Sequence, residues 1–267
     1  MRIRTLFTAA LLAALPLAAA SAKDAALAKA VASEHRSPNM VARDKYRHPQ
    51  EALEFAGIKP TMTVVEISPG GGYWTEILGP YLKDKGTYYT ALTPRNASER
   101  AAKSLDTWNK KLADNKAQWG DVKVTEFGRG SYDVAPAGSA DLVITSRNVH
   151  NWMGAGFADE AFAAFYKALK PGGILSVEEH RAPADKPQDP KAENGYVRQD
   201  HVVELAQKAG FKLVSQSEAL ANAKDTKDWP QGVWTLPPSL QLGEQDKDKY
   251  LAIGEADNML LKFQKPK

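Results

Sequence analysis

The feature that most constrains the fold is a glycine-rich loop between an apolar run and a helical pattern. The run at 64–67 leads into Ser-Pro-Gly-Gly-Gly at 68–72. Beyond it, apolar residues recur at the i, i+3, i+4, i+7 spacing of one helix face: Trp74, Ile77, Leu78 and Tyr81. Because glycines let a backbone approach a ligand and a helix N-terminus presents free N–H groups, this unit is typical of nucleotide-binding α/β domains. The alternative is a glycine-rich turn that binds nothing.

The first 22 residues have the pattern of a cleavable signal peptide. Arg2 and Arg4 precede an apolar run at 6–15, Pro16 ends the run, and Ala-Ser-Ala at 20–22 forms a cleavage site. The run is shorter than the ~20 residues of a membrane span, so we expect no stable membrane insertion. The chain has no cysteine, which excludes disulfides, thiolate nucleophiles and a lipid-modified cysteine. We therefore expect a soluble periplasmic protein that begins near Lys23 after cleavage at Ala22.

Composition favours an ordinary soluble globular protein. The chain has 267 residues, of which 43% are hydrophobic and 25% charged. The formal net charge of +3, without a long basic block, gives no argument for nucleic-acid binding. The oligomeric state is not indicated.

Strand and helix patterns alternate along the chain, which predicts a largely parallel sheet covered on both faces. We expect a helical extension at 23–60 packed on an α/β domain at 61–267, with an irregular insertion at about 221–239. The last apolar segment, 259–264, is predicted to be an edge strand. The predicted strands lie at 64–67, 87–92, 122–127, 141–146, 174–178, 211–215 and 259–264.

Three motifs resemble the class I S-adenosylmethionine-dependent methyltransferases. They are the Glu66–Gly72 loop, Asp-Leu-Val at 141–143 and Leu-Lys-Pro-Gly-Gly at 169–173. More narrowly, Tyr-Arg-His-Pro at 46–49, Pro-Gly-Gly-Gly-Tyr-Trp at 69–74 and Ser-Arg-Asn-Val-His-Asn-Trp at 146–152 are similar to a group of exported, predicted methyltransferases. The resemblance implies a doubly wound, mostly parallel seven-stranded Rossmann-like sheet with an antiparallel edge strand, and S-adenosylmethionine as cofactor.

The same resemblance implies a set of cofactor-binding residues. Gly70–Gly72 would approach the methionine end of the cofactor, with Glu66 fixing the loop. Two positions depart from the family pattern: Ser68 replaces the first glycine, and Thr93 stands where an acid usually binds the ribose hydroxyls. The full set is Glu66, Ser68, Gly70, Gly71, Gly72, Thr93, Asp133 and Asn148.

Two polar clusters follow the fourth and fifth predicted strands and should reach the same rim of the sheet. They supply the catalytic candidates His150, His180 and Glu179, because a histidine beside a carboxylate can act as a general base. Strand alternation should aim Glu178 and His180 one way and Glu179 the other, so we expect no metal site. Tyr46, His48, Trp74 and Trp152 are the candidate substrate-binding residues, with core packing as the alternative.

Two functions remain open from the sequence. The first is a methyltransferase that acts on an unidentified small acceptor. The second is a periplasmic ligand-binding or accessory protein on a methyltransferase scaffold that has lost methyl transfer. Glu66 and the glycine loop favour the first. Ser68, Thr93 and the expected export favour the second, because the methyl donor is made in the cytoplasm.

Overall fold

A computed structural model describes residues 24–267. The predicted signal peptide at 1–22 lies outside these residues. The described chain opens with four short helices: α1 (Ala25–Val31), α2 (Pro38–Val41), α3 (Asp44–Arg47) and α4 (Pro49–Ala56). The Asp24 carboxylate caps α1, since it accepts hydrogen bonds from the backbone N–H groups of Ala26 and Leu27.

The first half of the sheet follows with its crossover helices. Its elements are β1 (Thr63–Ile67), α5 (Thr75–Leu82), β2 (Thr87–Leu92), α6 (Glu99–Asp114), α7 (Lys116–Trp119) and β3 (Lys123–Glu126). Ser98 caps α6 as its position predicts, because its hydroxyl accepts a hydrogen bond from the Ala101 N–H at 3.0 Å.

The second half of the sheet is longer and ends in an antiparallel pair. Its elements are β4 (Ala140–Ser146), α8 (Val149–Ala155), α9 (Ala158–Ala168), β5 (Leu169–His180), α10 (Gln199–Lys208), β6 (Lys212–Ser217), α11 (Lys247–Ile253) and β7 (Asn258–Gln264). The sequence did not predict α8, although Val149, Trp152 and Met153 bury one helical face. The short run of polar residues between them conceals the pattern.

The seven strands form one sheet in the order β3-β2-β1-β4-β5-β7-β6. The first five are mutually parallel, and β7 runs antiparallel to both of its neighbours. The predicted fold class is confirmed. The prediction that 259–264 is the edge strand is wrong, because β7 lies between β5 and β6. Its side chains explain the position: Met259, Leu260, Leu261 and Phe263 are all buried, so both faces of the strand need cover.

Apolar clusters cover the two faces of the sheet. One is built from α8, α9 and α10 around Phe162, Phe165 and Phe263, and the other from α1, α4 and α5 around Leu27, Ile77 and Leu78. The order of strands reverses between β1 and β4, which creates a crevice outside their carboxyl ends. No helix between residues 24 and 267 has the length and apolarity to cross a membrane.

The irregular insertion packs as a covering segment with its own small core. That core contains Tyr196, Val233, Leu236 and Tyr250. Asp225 organises its polar side, since its carboxylate accepts hydrogen bonds from the Tyr196 hydroxyl at 2.9 Å, the Trp229 indole at 2.7 Å and the Asp257 N–H at 2.8 Å.

Candidate functional site

The glycine loop leaves β1 in a left-handed backbone conformation. Ser68 has φ +52°, and Gly70 and Gly72 have φ +57° and +91°. The serine thus adopts the conformation that glycine usually supplies at such a turn. A Cβ placed on Gly70 would meet no atom within 4 Å, so the backbone here is open to a ligand. The chain therefore makes this left-handed turn with a serine.

A cavity of about 840 Å³, the large cavity, lies beside this loop in the crevice of the sheet. Ser68, Gly70, Thr93 and Asn148 line it, each after the carboxyl end of a strand. Phe127, Trp152 and Phe157 supply an aromatic wall. The volume is in the range of sites for cofactor-sized ligands. The open loop, the apolar aromatic wall and the hydroxyl of Thr93 fit a nucleoside cofactor.

The large cavity is lined by a well-anchored asparagine, Asn148, but by no acidic residue among those that the structure describes. The Asn148 amide donates hydrogen bonds to the Ile67 and Ser146 carbonyl oxygens at 3.2 and 3.1 Å, so it bridges the ends of β1 and β4. Among the described residues that line the cavity, none is acidic. Thr93 lies at the position where the family places its ribose-binding acid, and it offers a hydroxyl group instead.

Glu66, at the start of the glycine loop, connects β1 to its neighbours by hydrogen bonds. The residue is 3% exposed, and its carboxyl group accepts hydrogen bonds from the Thr75 hydroxyl at 2.6 Å and from the Tyr88 hydroxyl. These bonds connect β1 to the first residue of α5 and to β2. Burial raises the pKa of Glu66 to about 7, against the opposing effect of the two hydrogen bonds and of Lys111.

A second cavity of about 210 Å³ lies on the other side of the loop and is the most highly charged region of the site. Arg43, Arg47 and Arg147 line it, and we name it the arginine pocket. All three side chains converge on Glu255, with N–O distances of 2.6, 3.1 and 2.7 Å. Arg147 also faces the buried Glu178 at 3.8 Å. Burial raises the pKa of that carboxyl group, and Arg147 opposes the shift.

The arginine pocket was not predicted from the sequence. Arg47 lies in the Tyr-Arg-His-Pro motif and Arg147 in the Ser-Arg-Asn motif. Glu255 is 212 residues from Arg43, so no local spacing signals their contact. The one indication in the sequence is that an arginine occurs in each of two motifs on which the family resemblance rests.

The three catalytic candidates form a trio apart from both cavities, in which His150 and Glu179 are buried and His180 is half-buried. The His150 Nδ1 atom lies 2.9 Å from Glu179 Oε1, and the rings of His150 and His180 are 5.5 Å apart. None of the three residues lines the large cavity or the arginine pocket. Burial lowers the pKa of His180, with the nearby His150 and Arg147 acting in the same direction.

Glu179 lies close to both histidines, contrary to the prediction that strand alternation aims it away from His180. The possible ligand atoms of His150, Glu179 and His180 lie within 4.8 Å of one another, so Glu179 does not point away from His180. The reason is local: the Glu179 side chain folds back and accepts a hydrogen bond from the His180 N–H at 2.8 Å. The trio has the chemistry to hold a metal ion, and the expectation of no metal site stays an untested prediction.

The remaining candidates are divided between the cavities and the surface. Trp74 lines the arginine pocket, where its indole donates to the Ser146 hydroxyl at 2.7 Å, and Trp152 lines the large cavity. Gly71 lines the arginine pocket, and Gly72 lines neither. Three candidates lie apart: Asp133 pairs with Lys167 at the surface, His48 is partly exposed beside Glu51, and Tyr46 packs against Gly254.

Comparison with known proteins agrees with this geometry. A family described as "Methyltransferase domain" matches residues 41–216, about two thirds of the chain. No curated protein matches the sequence. A methyltransferase described as SAM-dependent, from Aquifex aeolicus, has a similar structure, with a TM-score of 0.55, 15% identity, and coverage of 86% of this chain and 94% of that one.

Two further solved structures show the range of proteins with this fold. The cyclase SpnF has a TM-score of 0.55 and 15% identity, over 88% of this chain and 84% of its own. Phosphoethanolamine N-methyltransferase 2 from Haemonchus contortus, solved with S-adenosyl-L-methionine, has a TM-score of 0.53 and 14% identity, over 91% of this chain and 60% of its own. At these identities the structural likeness supports the fold, and the family match carries the assignment. The chain belongs to the methyltransferase-domain family.

Proposed function

We propose that this chain is an exported enzyme that transfers a methyl group to a small acceptor bound beside the glycine loop. The donor is S-adenosylmethionine. The observation that carries the proposal is the large cavity at the reversal of the strand order, bounded by the open backbone of Gly70. A methyltransferase family match and a cavity of cofactor size at this place support the same activity.

When bound, S-adenosylmethionine supplies an electrophilic methyl group on a sulfonium centre. The chain contributes binding and orientation. The aromatic wall of Phe127, Trp152 and Phe157 suits a flat purine ring, and Thr93 offers a hydroxyl group to a sugar. Gly70 lets the backbone come close to the amino-acid end of the ligand. Because His150 and His180 lie outside both cavities, we assign catalysis to positioning and the exclusion of water rather than to either histidine.

The alternative is a ligand-binding protein that has lost methyl transfer, and Ser68 no longer favours it. Ser68 keeps the left-handed backbone of the glycine that it replaces, so the loop remains competent to approach a cofactor. The hydroxyl at Thr93, in place of an acid, and the expected export still favour the alternative.

The test is a calorimetric titration of the chain from Lys23 onward with S-adenosylmethionine and S-adenosylhomocysteine. Two glycine variants supply the comparison. Gly70→Asn places a side chain in the cavity, and Gly138→Asn introduces the same residue at a similar φ of +63° away from either cavity. Asparagine tolerates this left-handed conformation.

We expect micromolar binding of both ligands, a loss of at least tenfold in Gly70→Asn, and a change below twofold in Gly138→Asn. A folded protein that binds neither ligand, or equal losses in the two variants, would contradict the proposed cofactor site.

Export is a separate part of the proposal. Its support is the order of basic, apolar and small residues in the first 22 positions. In a Gram-negative host, the periplasmic fraction should contain a protein whose N-terminus is Lys23, as read by mass spectrometry. A Leu11→Arg variant, which interrupts the apolar run, should stay in the cytoplasm with its N-terminal segment uncut. Recovery of the uncut chain from the cytoplasm in both cases would refute export.

A further inference from the structure

The arginine pocket contains three guanidinium groups, those of Arg43, Arg47 and Arg147. Glu255 and Glu178 face them, and a third carboxyl group, that of Glu66, lines the same pocket. Burial raises the pKa of Glu66 to about 7 and raises that of Glu178, so at neutral pH the three carboxyl groups carry less than three full negative charges. A buried net charge is costly unless a counter-charge is supplied.

Two of these guanidinium groups also have N–H donors without a partner. The Nη2 atoms of Arg43 and Arg47 are buried and make no hydrogen bond within the described chain. Arg47 is the stronger case, because the whole residue is 2% exposed and lines the pocket. A buried charged donor that is left unpaired destabilises the protein, so these two atoms are suited to an incoming acceptor oxygen.

The arginines are held in place before any ligand arrives. Arg36 forms a two-pronged ion pair with Asp44, at 2.6 and 2.8 Å, which fixes α3. Asp44 in turn accepts a hydrogen bond from the Tyr73 hydroxyl at 2.7 Å. The Arg47 guanidinium lies 4.4 Å from the centre of the Tyr73 ring, in a cation–π contact. Such support lowers the entropy lost when a ligand binds.

The position of the pocket links it to the methyl-transfer site. The large cavity and the arginine pocket share Ser68, Pro69, Gly70 and Asn148, so they meet at the glycine loop. A volume of 210 Å³ equals about seven water molecules at ~30 Å³ each. That is room for an acidic group and a short carbon skeleton, whose far end would point to the loop.

We propose that the arginine pocket binds the carboxylate of the methyl acceptor, so the substrates of this enzyme are small carboxylic acids. Guanidinium forks match a planar carboxylate through paired hydrogen bonds. A small excess of positive charge suits a singly charged carboxylate better than a doubly charged phosphate. This inference depends on the proposed function for the identity of the acceptor. The binding of the anion itself does not.

The probes are acetate, propionate and benzoate, with acetamide, propionamide and benzamide as uncharged counterparts and inorganic phosphate as the competing anion. Each is titrated calorimetrically into the chain from Lys23 onward, with and without saturating S-adenosylhomocysteine. We expect at least one carboxylate to bind, its amide to bind at least tenfold more weakly, and phosphate to bind more weakly than the carboxylate. Absence of any carboxylate binding, or a preference for phosphate or for the amide, would overturn the inference.

Three variants separate the pocket from the donor site. Arg47→Gln and Arg43→Gln should each weaken the carboxylate at least tenfold and change S-adenosylhomocysteine affinity less than twofold. Arg43→Gln is the safer variant, because Arg43 is partly exposed and Glu255 keeps two other arginine partners. Arg198→Gln removes an arginine that is paired with Asp200 outside either cavity, and should change neither affinity.

The two proposals fail in different ways. If the arginine variants weaken S-adenosylhomocysteine as strongly as the carboxylate, the arginines serve the donor and the inference is wrong. If S-adenosylhomocysteine does not bind to the wild type, the proposed cofactor site fails, and the titration without it still measures the anion pocket by itself.

Discussion

The buried carboxyl group of Glu66 should make the stability of the protein depend on pH, and Glu66→Gln isolates that effect. Glutamine has nearly the same shape and keeps a side-chain oxygen that can accept the hydrogen bonds from Thr75 and Tyr88. It cannot ionise. The substitution therefore removes the titration of Glu66 while it leaves the contacts between β1, β2 and α5 in place.

The size of the effect follows from the pKa of Glu66, which rises from 4.5 to about 7 on folding. At 1.36 kcal/mol per pKa unit, the shift corresponds to about 3 kcal/mol. Below pH 4.5 both states are protonated, and the full stability is present. Between pH 4.5 and 7 the unfolded chain loses the proton that the folded protein keeps, so the free energy of unfolding falls. Above pH 7 both states are ionised, and the loss is complete.

Urea denaturation at pH 4.5, 5.5, 6.5 and 8.0 measures the effect. The free energy of unfolding of the wild type, minus that of Glu66→Gln, should fall by about 3 kcal/mol from the lowest to the highest pH. Subtraction removes the contribution of Glu178 and of every other titrating group that the two proteins share. The exposed Glu160→Gln supplies the control and should give a flat difference. A flat difference for Glu66→Gln as well would refute the reasoning that burial holds this carboxyl group protonated.

Three further substitutions test the core and the irregular insertion. Phe162→Ala empties a fully buried position and should lower the free energy of unfolding by roughly 3–5 kcal/mol in urea titrations, so a loss below 1 kcal/mol would contradict the packing described. Gly232→Ala would place a Cβ 2.0 Å from the Asn194 carbonyl oxygen, so the insertion should detach and be cut by trypsin under conditions that spare the wild type. Asp225→Ala leaves buried donors without an acceptor and should cost about 3 kcal/mol or more, whereas the exposed Asp228→Ala should change the same measurement by less than 1 kcal/mol.

Local patterns in the sequence predicted much of the fold because local forces decide those elements. The bounds of β2 agree with the prediction, and Ser98 caps α6, because β-branched and aromatic runs and capping hydroxyls act over a few residues. The place of β7 could not be predicted in this way. Its apolar residues show that it is a buried strand, but its insertion between β5 and β6 depends on pairing with segments far along the chain.

The candidate site was likewise predictable only where its residues are contiguous in the sequence. The glycine loop is a continuous segment, so its approach to a cavity could be read from the spacing of its glycines. The arginine pocket is not continuous: Arg47 comes from the N-terminal helices, Arg147 from the end of β4, and Glu255 from the turn before β7. Only the folded topology brings these three residues together. Tyr46 and His48 flank Arg47 in the sequence and were predicted to bind the substrate. Neither lines the arginine pocket, because Tyr46 packs against Gly254 and His48 lies beside Glu51.

The insertion of β7 between two strands that precede it has a consequence for the order of assembly. Until the last residues of the chain are in place, β6 has no neighbour in the sheet, and β5 has an open side. Glu255 lies immediately before β7, so the segment that closes the sheet also brings the carboxylate that holds three arginines together. A chain that lacks this segment would leave those arginines without the carboxylate that they share. The strand that completes the sheet therefore also completes the arginine pocket.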